Sequence, residues 1–358
     1  MIFFPTGGTL DVTVHEIQNN GTIKEIHKVT GGPYGGIKVN EEFEGLLEEL
    51  LGAEKLKRYQ RKSPSDWLSL MNEFEGKKRG KRILDSGLMT NIRLPRSFVS
   101  LIKQTRSPAM ESYGDKEVKL KNNEYLSLSS GMMKKLFTPV VKRIKQHLKE
   151  LQKNPQLSKV QTMVFVGGFA ESAFLQEEMK KEFSQRYKIL IPNHASIAVV
   201  QGAVMFGKKP TTITQRVVSI TYGLACERNF INGVHPEEKK VIRDGVEKCR
   251  DLFSLLVMEN EVVKLGETKT KIYHPVRAKQ ENMHLQFYVT SNPETTFITE
   301  TGTTPIGSAT VQTPYNWKSK DREVEVSMYF GGTEITATGR DVSSGNEAQT
   351  TLDFFCRS

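Results

Sequence analysis

Apolar and polar residues follow two different spacings along the chain, and the change comes near residue 207. Before it, short apolar or alternating runs precede segments in which apolar residues recur every three or four positions, a pattern typical of strands joined to amphipathic helices. After it, alternation at every second residue dominates, as in 217–224, 284–290 and 323–338. The pattern predicts an α/β domain over 1–207, a linker over 208–216 and a β-rich domain over 217–358.

Besides the segment that follows Gly167-Gly168, five segments have helical spacing. Asn40 is expected to cap the first, and Ser63-Pro64 begins the second, because proline is tolerated in the first turn of a helix. The others are the long amphipathic segment 131–151, the apolar segment 197–206 and the charged segment 236–253. The polar region 80–125 is predicted to be irregular, with short strands around 89–94.

Two glycine-containing turns predict β-hairpins. Asn19-Asn20-Gly21 stands between two alternating runs and is a strong type I′ signal. Phe330-Gly331-Gly332-Thr333 is interpreted as another hairpin turn, since a β-turn accounts for its glycines without a phosphate.

Two further glycine turns carry the candidate chemistry. Gly167-Gly168 ends the apolar run 163–166 and leads into a helical segment, while Gly7-Gly8-Thr9 leads into an alternating strand. Glycine lets a backbone approach a ligand closely, and a helix N-terminus favours phosphate. Two such turns predict two halves of a fold that face one nucleotide. Close packing of a helix on a strand is the alternative for Gly167-Gly168 taken alone.

Glu75 and Lys78 lie one turn apart on the helix predicted after Pro64. As an isolated pair they are expected to form a solvated i,i+3 ion pair worth roughly a few tenths of a kcal/mol. Beside a nucleotide the same pair becomes a clamp, with the lysine as a point charge for the phosphates. The residues alone leave both interpretations open.

Composition describes an ordinary globular protein of 358 residues, with 37% hydrophobic residues and a mean hydropathy of −0.43. No apolar run in the sequence approaches the roughly 18 residues of a membrane span. The N-terminal residues MIFFPTGG lack the basic region of a secretory signal. Cys226, Cys249 and Cys356 are odd in number and far apart, which indicates neither a metal cluster nor a disulfide framework. These features predict a cytoplasmic location.

The net charge of +10 raises the question of a polyanionic partner. Basic residues cluster in 55–62 (KLKRYQRK) and 77–82 (KKRGKR). No nucleic-acid-binding motif surrounds either cluster, and no aromatic residue lies within the second. Solvated helix faces with a few nucleotide-facing cations are therefore favoured over nucleic-acid binding.

Together and in this order, the motifs resemble the heat-shock 70 kDa protein family, most closely a divergent branch of it. The segments that carry the resemblance are TGGTLDVTV at 6–14, PYGGIKVNEEF at 33–43, Glu75-x-x-Lys78, VGGFA at 166–170 and IPNHASIAVVQG at 191–202. They are similar, respectively, to the family's second phosphate motif, a phosphate-approaching loop, the adenosine-contacting helix, the adenosine motif and the helix that closes the cleft. The resemblance implies an α/β fold: an incomplete actin-like (ribonuclease H-like) ATPase domain, followed by a β-rich C-terminal domain.

The resemblance also implies a nucleotide partner, ATP or ADP with Mg²⁺. The implied cofactor-binding residues are Gly7, Gly8, Thr9, Gly35, Gly36, Glu75, Lys78, Gly167, Gly168 and Phe169. Segments 217–227 and 330–346 are similar to strands of the family's β-sandwich peptide-binding domain, while the stretch between them does not align. An ATP-binding, chaperone-like protein with protein clients or signalling partners is implied in turn.

Several departures from the family pattern limit the expected mechanism. The family's opening strand, with its Asp, its Gly-Thr-Thr turn and a catalytic-site lysine, has no counterpart before Met1, so the N-terminal subdomain is expected to be missing. Phe4-Pro5-Thr6 stands where an Asp-x-Gly is expected, and Ser196 stands where classical members carry an Asp near the adenine. Asp11 is the single acidic metal candidate beside a phosphate loop. The linker residues 208–215 lack the family's apolar coupling run.

No residue is therefore assigned a catalytic role, and weak ATP binding with negligible hydrolysis is expected, because phosphoryl transfer depends on positioned charges and Mg²⁺. A non-catalytic pseudo-ATPase acting as an adaptor or scaffold, or an inactive fragment, is the main alternative. A sugar or glycerol kinase of the actin-like superfamily is less favoured, because such kinases lack a β-rich C-terminal part and fold alone does not decide function.

Overall fold

The computed structural model describes residues 1–80, 87–105, 113, 116–314, 322–330 and 334–352. By its internal contacts the chain divides into two compact units. The first unit contains Met1–Thr13 and Thr30–Met205, and the second contains Val14–Val29 and Phe206–Ser358. The domain boundaries expected from the sequence remain a prediction.

The central sheet of the first unit is built around strand β1 (Ile2–Pro5). This strand pairs antiparallel with β2 (Leu10–Ile17) and parallel with β7 (Thr162–Phe165), beside which β8 (Lys188–Leu190) lies in parallel. Phe3 stacks on Phe165 with ring centroids 4.9 Å apart. Since β1 and β7 are parallel, their carboxyl ends meet at one edge of the sheet, and each runs into a predicted glycine turn there.

The helices of the described residues are α1 (Ile37–Leu51), α2 (Ala53–Lys62), α3 (Pro64–Lys78), α4 (Arg96–Thr105), α5 (Ser130–Gln152), α6 (Ala173–Phe183) and α7 (Ala198–Lys208). Helices α1 and α3 pack through the stacked rings of Phe43 and Phe74, whose centroids lie 4.0 Å apart. A small antiparallel sheet has the order β4 (Met89–Arg93), β6 (Tyr125–Ser129), β5 (Val118–Lys121). The core of this unit holds α3 firmly against α1.

The second unit is dominated by two antiparallel sheets. The five-stranded sheet has the order β11 (Lys240–Arg243), β12 (Val246–Val257), β10 (Thr221–Asn229), β15 (Asn282–Thr290), β16 (Thr303–Gln312). The four-stranded sheet has the order β14 (Thr268–Tyr273), β17 (Val324–Tyr329), β18 (Ile335–Asp341), β19 (Glu347–Leu352). Alternate residues of both sheets share one core, which includes Leu224, Leu285, Val311, Val326 and Ala337.

Of three more strands, one belongs to the N-terminal hairpin, one overlaps the expected linker and the third follows β12. Strand β9 (Ile213–Val217) runs parallel to β3 (Ile23–Gly32), with Ile23 opposite Ile213, and antiparallel to β13 (Val262–Lys264). A 3₁₀ turn over Pro210–Thr212 precedes β9. The segment 208–216 therefore contains regular structure.

Several predicted elements are confirmed. The long helix over 131–151 is α5, the helix begun by Ser63-Pro64 is α3, and the short strand near 89–94 is β4. The apolar helix predicted over 197–206 is α7, which has no buried residue. The polar region 80–125, predicted to be irregular, also contains α4.

The helix predicted over 236–253 is wrong. The segment forms a 3₁₀ turn over Glu237–Lys239 and then the hairpin β11–β12. Asp244 and Gly245 have φ angles of 48° and 80°, and a type I′ turn requires positive φ at both central positions. The Asp-Gly pair therefore outweighs the helical spacing of the surrounding charges.

The predicted type I′ turn at Asn19-Asn20-Gly21 is also wrong in its type, although the hairpin exists. Only Gly21 of the three has a positive φ, 79°. The amide of Gly21 donates to Gln18 O at 2.9 Å and that of Gln18 donates to Thr22 O at 2.8 Å, so a longer loop closes the hairpin. The predicted turn at Gly331–Thr333 and Cys356 lie outside the described residues.

The described residues thus form a mixed α/β structure with several sheets and seven helices, consistent with an actin-like ATPase fold. None of the described helices combines the length and the apolar composition needed to cross a membrane.

Candidate nucleotide-binding site

Two glycine segments of the first unit are joined by backbone hydrogen bonds. The amides of Gly35, Gly36 and Ile37 donate to the carbonyl oxygens of Gly8, Thr6 and Gly7 at 3.2, 3.0 and 2.7 Å. A Cβ on Gly35 would lie 2.4 Å from Gly7 O, which explains the glycine, because no side chain fits between these backbones. The turn after β1 and the start of α1 therefore form one continuous surface.

The glycines of Gly167-Gly168 have different roles. Gly167 has a φ of 101°, and a Cβ there would lie 2.8 Å from Pro5 O, so the fold itself requires glycine. Its amide donates to Ala195 O at 2.7 Å. Gly168 has a φ of −63°, and a Cβ on it would meet no atom within 4 Å. Of these two glycines, therefore, only Gly168 leaves open space in front of the backbone.

Lys78 is buried, with 4% of its surface exposed. Its ammonium group donates to Gly36 O at 2.9 Å, to Asn40 Oδ1 at 2.9 Å and to Glu75 Oε2 at 2.6 Å. An ammonium has three N–H donors, and the three contacts use all of them. The Glu75–Lys78 pair is thus a buried link between α3 and the start of α1, and the interpretation as a solvated surface pair is wrong for Lys78.

The charges around Glu75 oppose the cost of burial. Burial raises the pKa of the Glu75 carboxyl, but hydrogen bonds and charge from Lys78, with Asn40 and Arg79, outweigh it and hold the pKa below its usual value. Burial lowers the pKa of Lys78, and Glu75 opposes that shift. Arg79 Nε donates to Glu75 Oε1 at 3.2 Å while its side chain stays 59% exposed. Arg79 is therefore an accessible cation at this site.

These elements enclose a cavity of about 240 Å³. Six of the predicted cofactor-binding residues line it: Gly7, Gly36, Glu75, Lys78, Gly168 and Phe169. The other four, Gly8, Thr9, Gly35 and Gly167, lie in the same turns but outside the lining. The structure thus brings the three glycine segments and α3 to one place.

Five lining residues were not predicted as contacts: Thr6, Ile37, Asn40, Arg79 and Ser172. Asn40 does not cap α1, because the helix begins at Ile37 with Gly36 as its N-cap. The Asn40 amide instead bridges Lys78 and Glu75, donating to Glu75 Oε2 at 3.1 Å. Ser172 caps α6 by accepting a hydrogen bond from the Leu175 amide at 3.4 Å. A Ser before a helical run is a capping signal that could have placed Ser172 here.

The described residues offer no ready-made set of side-chain ligands for a Mg²⁺ ion. Asp11 Oδ2 accepts a hydrogen bond from Thr9 Oγ1 at 3.2 Å, and Asp11 does not line the cavity. The described residues contain no group of three or more His, Cys, Asp or Glu side chains placed to hold a metal ion. Ser196, predicted to lie near an adenine, donates its amide to Glu171 Oε1 at 3.0 Å and also lies outside the lining.

The second unit has a larger cavity of about 530 Å³ at one end of its two sheets. Its walls come from β10, β12, β14, the start of β15 and the loop between β14 and β15. No residue of this cavity was singled out from the sequence as a contact.

Comparisons with known proteins cover almost the whole chain. It is 34% identical over 356 residues to human heat shock 70 kDa protein 12A and 33% identical over 362 residues to human heat shock 70 kDa protein 12B. Mouse heat shock 70 kDa protein 12A is 33% identical over 356 residues. Each match covers 97% of this chain and 53% of the relative, so the chain spans about half the length of the curated relatives it matches. No protein-family model matches the chain.

Proposed function

Because the chain belongs to the divergent heat shock 70 kDa protein 12 branch of the heat-shock 70 kDa family, we propose that it binds an adenine nucleotide in the cavity of the first unit. The observation that carries the proposal is the convergence of Gly7, Gly36 and Gly168 with the Glu75–Lys78 pair around one cavity. Backbone without side chains can approach a flat base or a phosphate closely. The relatives' names come from proteins about twice as long, so the role of the whole protein is part of the proposal.

In this proposal the adenosine half of the nucleotide supplies most of the contacts. Gly168 and Phe169 form the platform for the nucleoside, and the Glu75 carboxylate accepts hydrogen bonds from its hydroxyl groups. Arg79 at the cavity provides an exposed cation and a planar group that stacks on an aromatic base. Ser172 places the N-terminus of the eleven-residue helix α6 at the same cavity, where the helix dipole favours an anion.

Many of the hydrogen-bond donors that could contact the phosphate half of the nucleotide are already used within the protein. The amides of Gly8 and Thr9 already donate to Thr6 Oγ1 at 3.2 and 2.9 Å, and those of Gly35 and Gly36 donate to backbone carbonyls. The three N–H groups of Lys78 are also used. A phosphate contact to any of these groups would therefore replace an existing hydrogen bond and add little net free energy.

These occupied donors favour the non-catalytic alternative, an atypical chaperone-like protein that binds nucleotide and acts as an adaptor. The proposal assigns no catalytic residue and no step through Mg²⁺. It also assigns a peptide-binding role to the second unit, whose two sheets and end cavity offer a place for a client protein. A cytoplasmic location belongs to the same proposal.

Calorimetric titration of the chain with ATP and ADP, each with Mg²⁺, tests the nucleotide site. The variant is Gly168→Trp, because a side chain at Gly168 enters open space and fills the cavity without disturbing the backbone. Gly45→Trp is the matched control, since Gly45 also has no atom within 4 Å of a Cβ but lies on α1 away from the lining.

Micromolar binding that Gly168→Trp abolishes and Gly45→Trp leaves unchanged is expected, with similar affinities for ADP and ATP. An absence of heat from the folded chain would contradict the nucleotide proposal. Binding that survives Gly168→Trp would place the nucleotide elsewhere, and a much higher affinity for ATP than for ADP would show that the phosphate half is the main contact.

A further inference from the structure

The cavity at the end of the second unit, here called the end groove, lies beside an outer strand. Lys271, Ile272 and Tyr273 at the end of β14 line it, and β14 is the first strand of the four-stranded sheet. An outer strand presents backbone N–H and C=O groups that can pair with an extended chain. Ile272 is 40% exposed and offers apolar contact at the same place. This combination suits a peptide segment in extended conformation.

Three basic side chains line the groove without forming an ion pair among the described residues. Arg228, Lys248 and Lys271 line it, and no carboxylate of the described residues lies within ion-pairing distance of any of them. The Lys248 ammonium donates to Asn229 Oδ1 at 2.7 Å, and that of Lys271 donates to Leu255 O at 3.1 Å. Their hydrogen-bond partners are neutral, so the charges of these side chains remain available to a ligand.

The acidic side chains of the groove are already neutralised from outside it. Glu227 accepts two hydrogen bonds from Arg243, from Nε at 3.0 Å and from Nη2 at 2.7 Å. Asp251 pairs with Lys239 at 2.9 Å. Neither Arg243 nor Lys239 lines the groove. The groove as a whole therefore presents an excess of positive charge.

The loop between β14 and β15, which forms one wall of the groove, is held in place by Arg322. The Arg322 side chain is buried, with 4% of its surface exposed. Its guanidinium donates to the carbonyl oxygens of Gln280, Thr313, Arg277 and Ala278 at 2.5, 2.8, 3.2 and 2.9 Å. Three of these hydrogen bonds hold the loop and the fourth joins it to Thr313 after β16, so one rigid, planar group fixes the loop before any ligand arrives. A preformed groove loses less entropy on binding than a mobile one.

We propose that the end groove binds acidic peptide segments in extended conformation, with carboxylates directed at Arg228, Lys248 and Lys271. The inference rests on the proposed peptide-binding role of the second unit and adds the chemical class of the peptide that binds there. Single-stranded nucleic acid is less suited, because it needs exposed rings for base stacking. Tyr273 is the one Phe, Tyr or Trp among the lining residues, and it is buried with its hydroxyl donating to Ser254 Oγ at 3.0 Å.

Fluorescence anisotropy on the full chain tests the proposal with labelled peptides of equal length. One peptide alternates Glu with Val, a second replaces every Glu by Gln, and a third is rich in Leu and carries no charge. The variant Lys248→Gln with Lys271→Gln removes two groove charges. The control Lys264→Gln with Lys269→Gln removes two charges from β13 and β14 outside the lining.

We expect the Glu peptide to bind, the groove variant to weaken it roughly tenfold and the control to change it less than about twofold. Increasing salt should weaken the Glu peptide, because exposed charges are screened. Equal binding of the Gln or Leu peptide would overturn the acidic class while leaving peptide binding intact. No binding of any peptide by the folded chain would overturn the peptide-binding role as well. A single-stranded oligonucleotide that binds as tightly and responds to the same variant would replace the peptide by a nucleic acid.

Discussion

The ammonium nitrogen of Lys78 lies 2.9 Å from the carbonyl oxygen of Gly36, a residue 42 positions earlier in the chain. The contact fastens the last turn of α3 to the N-cap of α1, and Asn40 and Glu75 complete the link. Lys78 therefore positions the glycine segment rather than extending a free charge toward a ligand. Arg79, the next residue, has the more accessible cation.

Lys78→Met should lower the free energy of unfolding by about 1–3 kcal/mol. The methionine keeps the volume but leaves the buried oxygens of Gly36 and Asn40 without their donor, and Glu75 is partly exposed, which limits the loss. Lys77→Met is the matched control, because Lys77 is 43% exposed and pairs with Glu73 at 3.2 Å on the surface. Its effect should stay below about 1 kcal/mol. Equal losses in urea denaturation would contradict the buried link.

Gly35→Ala should disrupt the cavity of the first unit, whereas Gly8→Ala should not. A Cβ at position 35 meets backbone atoms of Gly7 and Gly8 at 2.4 Å, so the two glycine segments must move apart. At Gly8 a Cβ meets no atom within 4 Å. We expect Gly35→Ala to cost about 1–3 kcal/mol of stability and to weaken nucleotide binding, by analogy with overpacked cores. Thermal denaturation and calorimetric titration of both variants check this, and a harmless Gly35→Ala would contradict the close approach of the segments.

The convergence of the two glycine turns was predicted from the turns themselves, each of which adjoins a predicted strand: 163–166 before Gly167 and the alternating run after Thr9. The strand that leads into Gly7, β1, was not predicted, and its parallel pairing with β7 brings the two turns to one edge of the sheet. The burial of Lys78 was not predictable, because helical spacing shows only that Glu75 and Lys78 share a face. Whether that face meets solvent depends on the packing of α1 against α3 through Phe43 and Phe74.

Turn chemistry accounts for the clearest error of the sequence prediction. The segment 236–253 has charged residues at helical spacing, yet Asp244-Gly245 adopts positive φ at both positions and makes a hairpin. Asn40 illustrates a second limit. Its residue type suits a cap, but its partners, Lys78 and Glu75, are distant in sequence and only the tertiary structure supplies them.

Arg322→Lys should loosen the loop that closes the end groove. A lysine has one nitrogen in place of the planar fork and cannot reach the four carbonyl oxygens of residues 277, 278, 280 and 313 together. We expect a loss of about 2 kcal/mol in the stability of the second unit and weaker binding of the Glu peptide. Arg340→Lys, at an exposed position of β18, should change stability by less than about 0.5 kcal/mol. If the loop amides of Arg322→Lys exchange hydrogen as slowly as those of the wild type, Arg322 does not hold the loop in place.

His15 should make the second unit less stable in mild acid. It lines a cavity of about 210 Å³ with Glu25, and its buried Nδ1 has no hydrogen-bond partner among the described residues. Burial lowers the pKa of His15 below its ordinary value of 6.5, so the unfolded chain takes up a proton first as the pH falls. The stability from neutral His15 is therefore present above 6.5 and is lost as the pH falls through the lowered pKa.

Denaturation of the wild type and of His15→Gln between about pH 8 and pH 5 measures this loss. Glu25 acts in the opposite sense, because burial raises the pKa of its carboxyl above 4.5 and its contribution is lost as the pH rises through that raised pKa. The Glu25 contribution is common to both proteins, so the difference between them isolates His15. We expect the wild type to lose more stability toward pH 5 than His15→Gln, while His284→Gln, at an exposed position of β15, follows the wild type. If the free energy of unfolding falls equally with pH in the wild type and in His15→Gln, folding does not lower the pKa of His15 and the prediction is wrong.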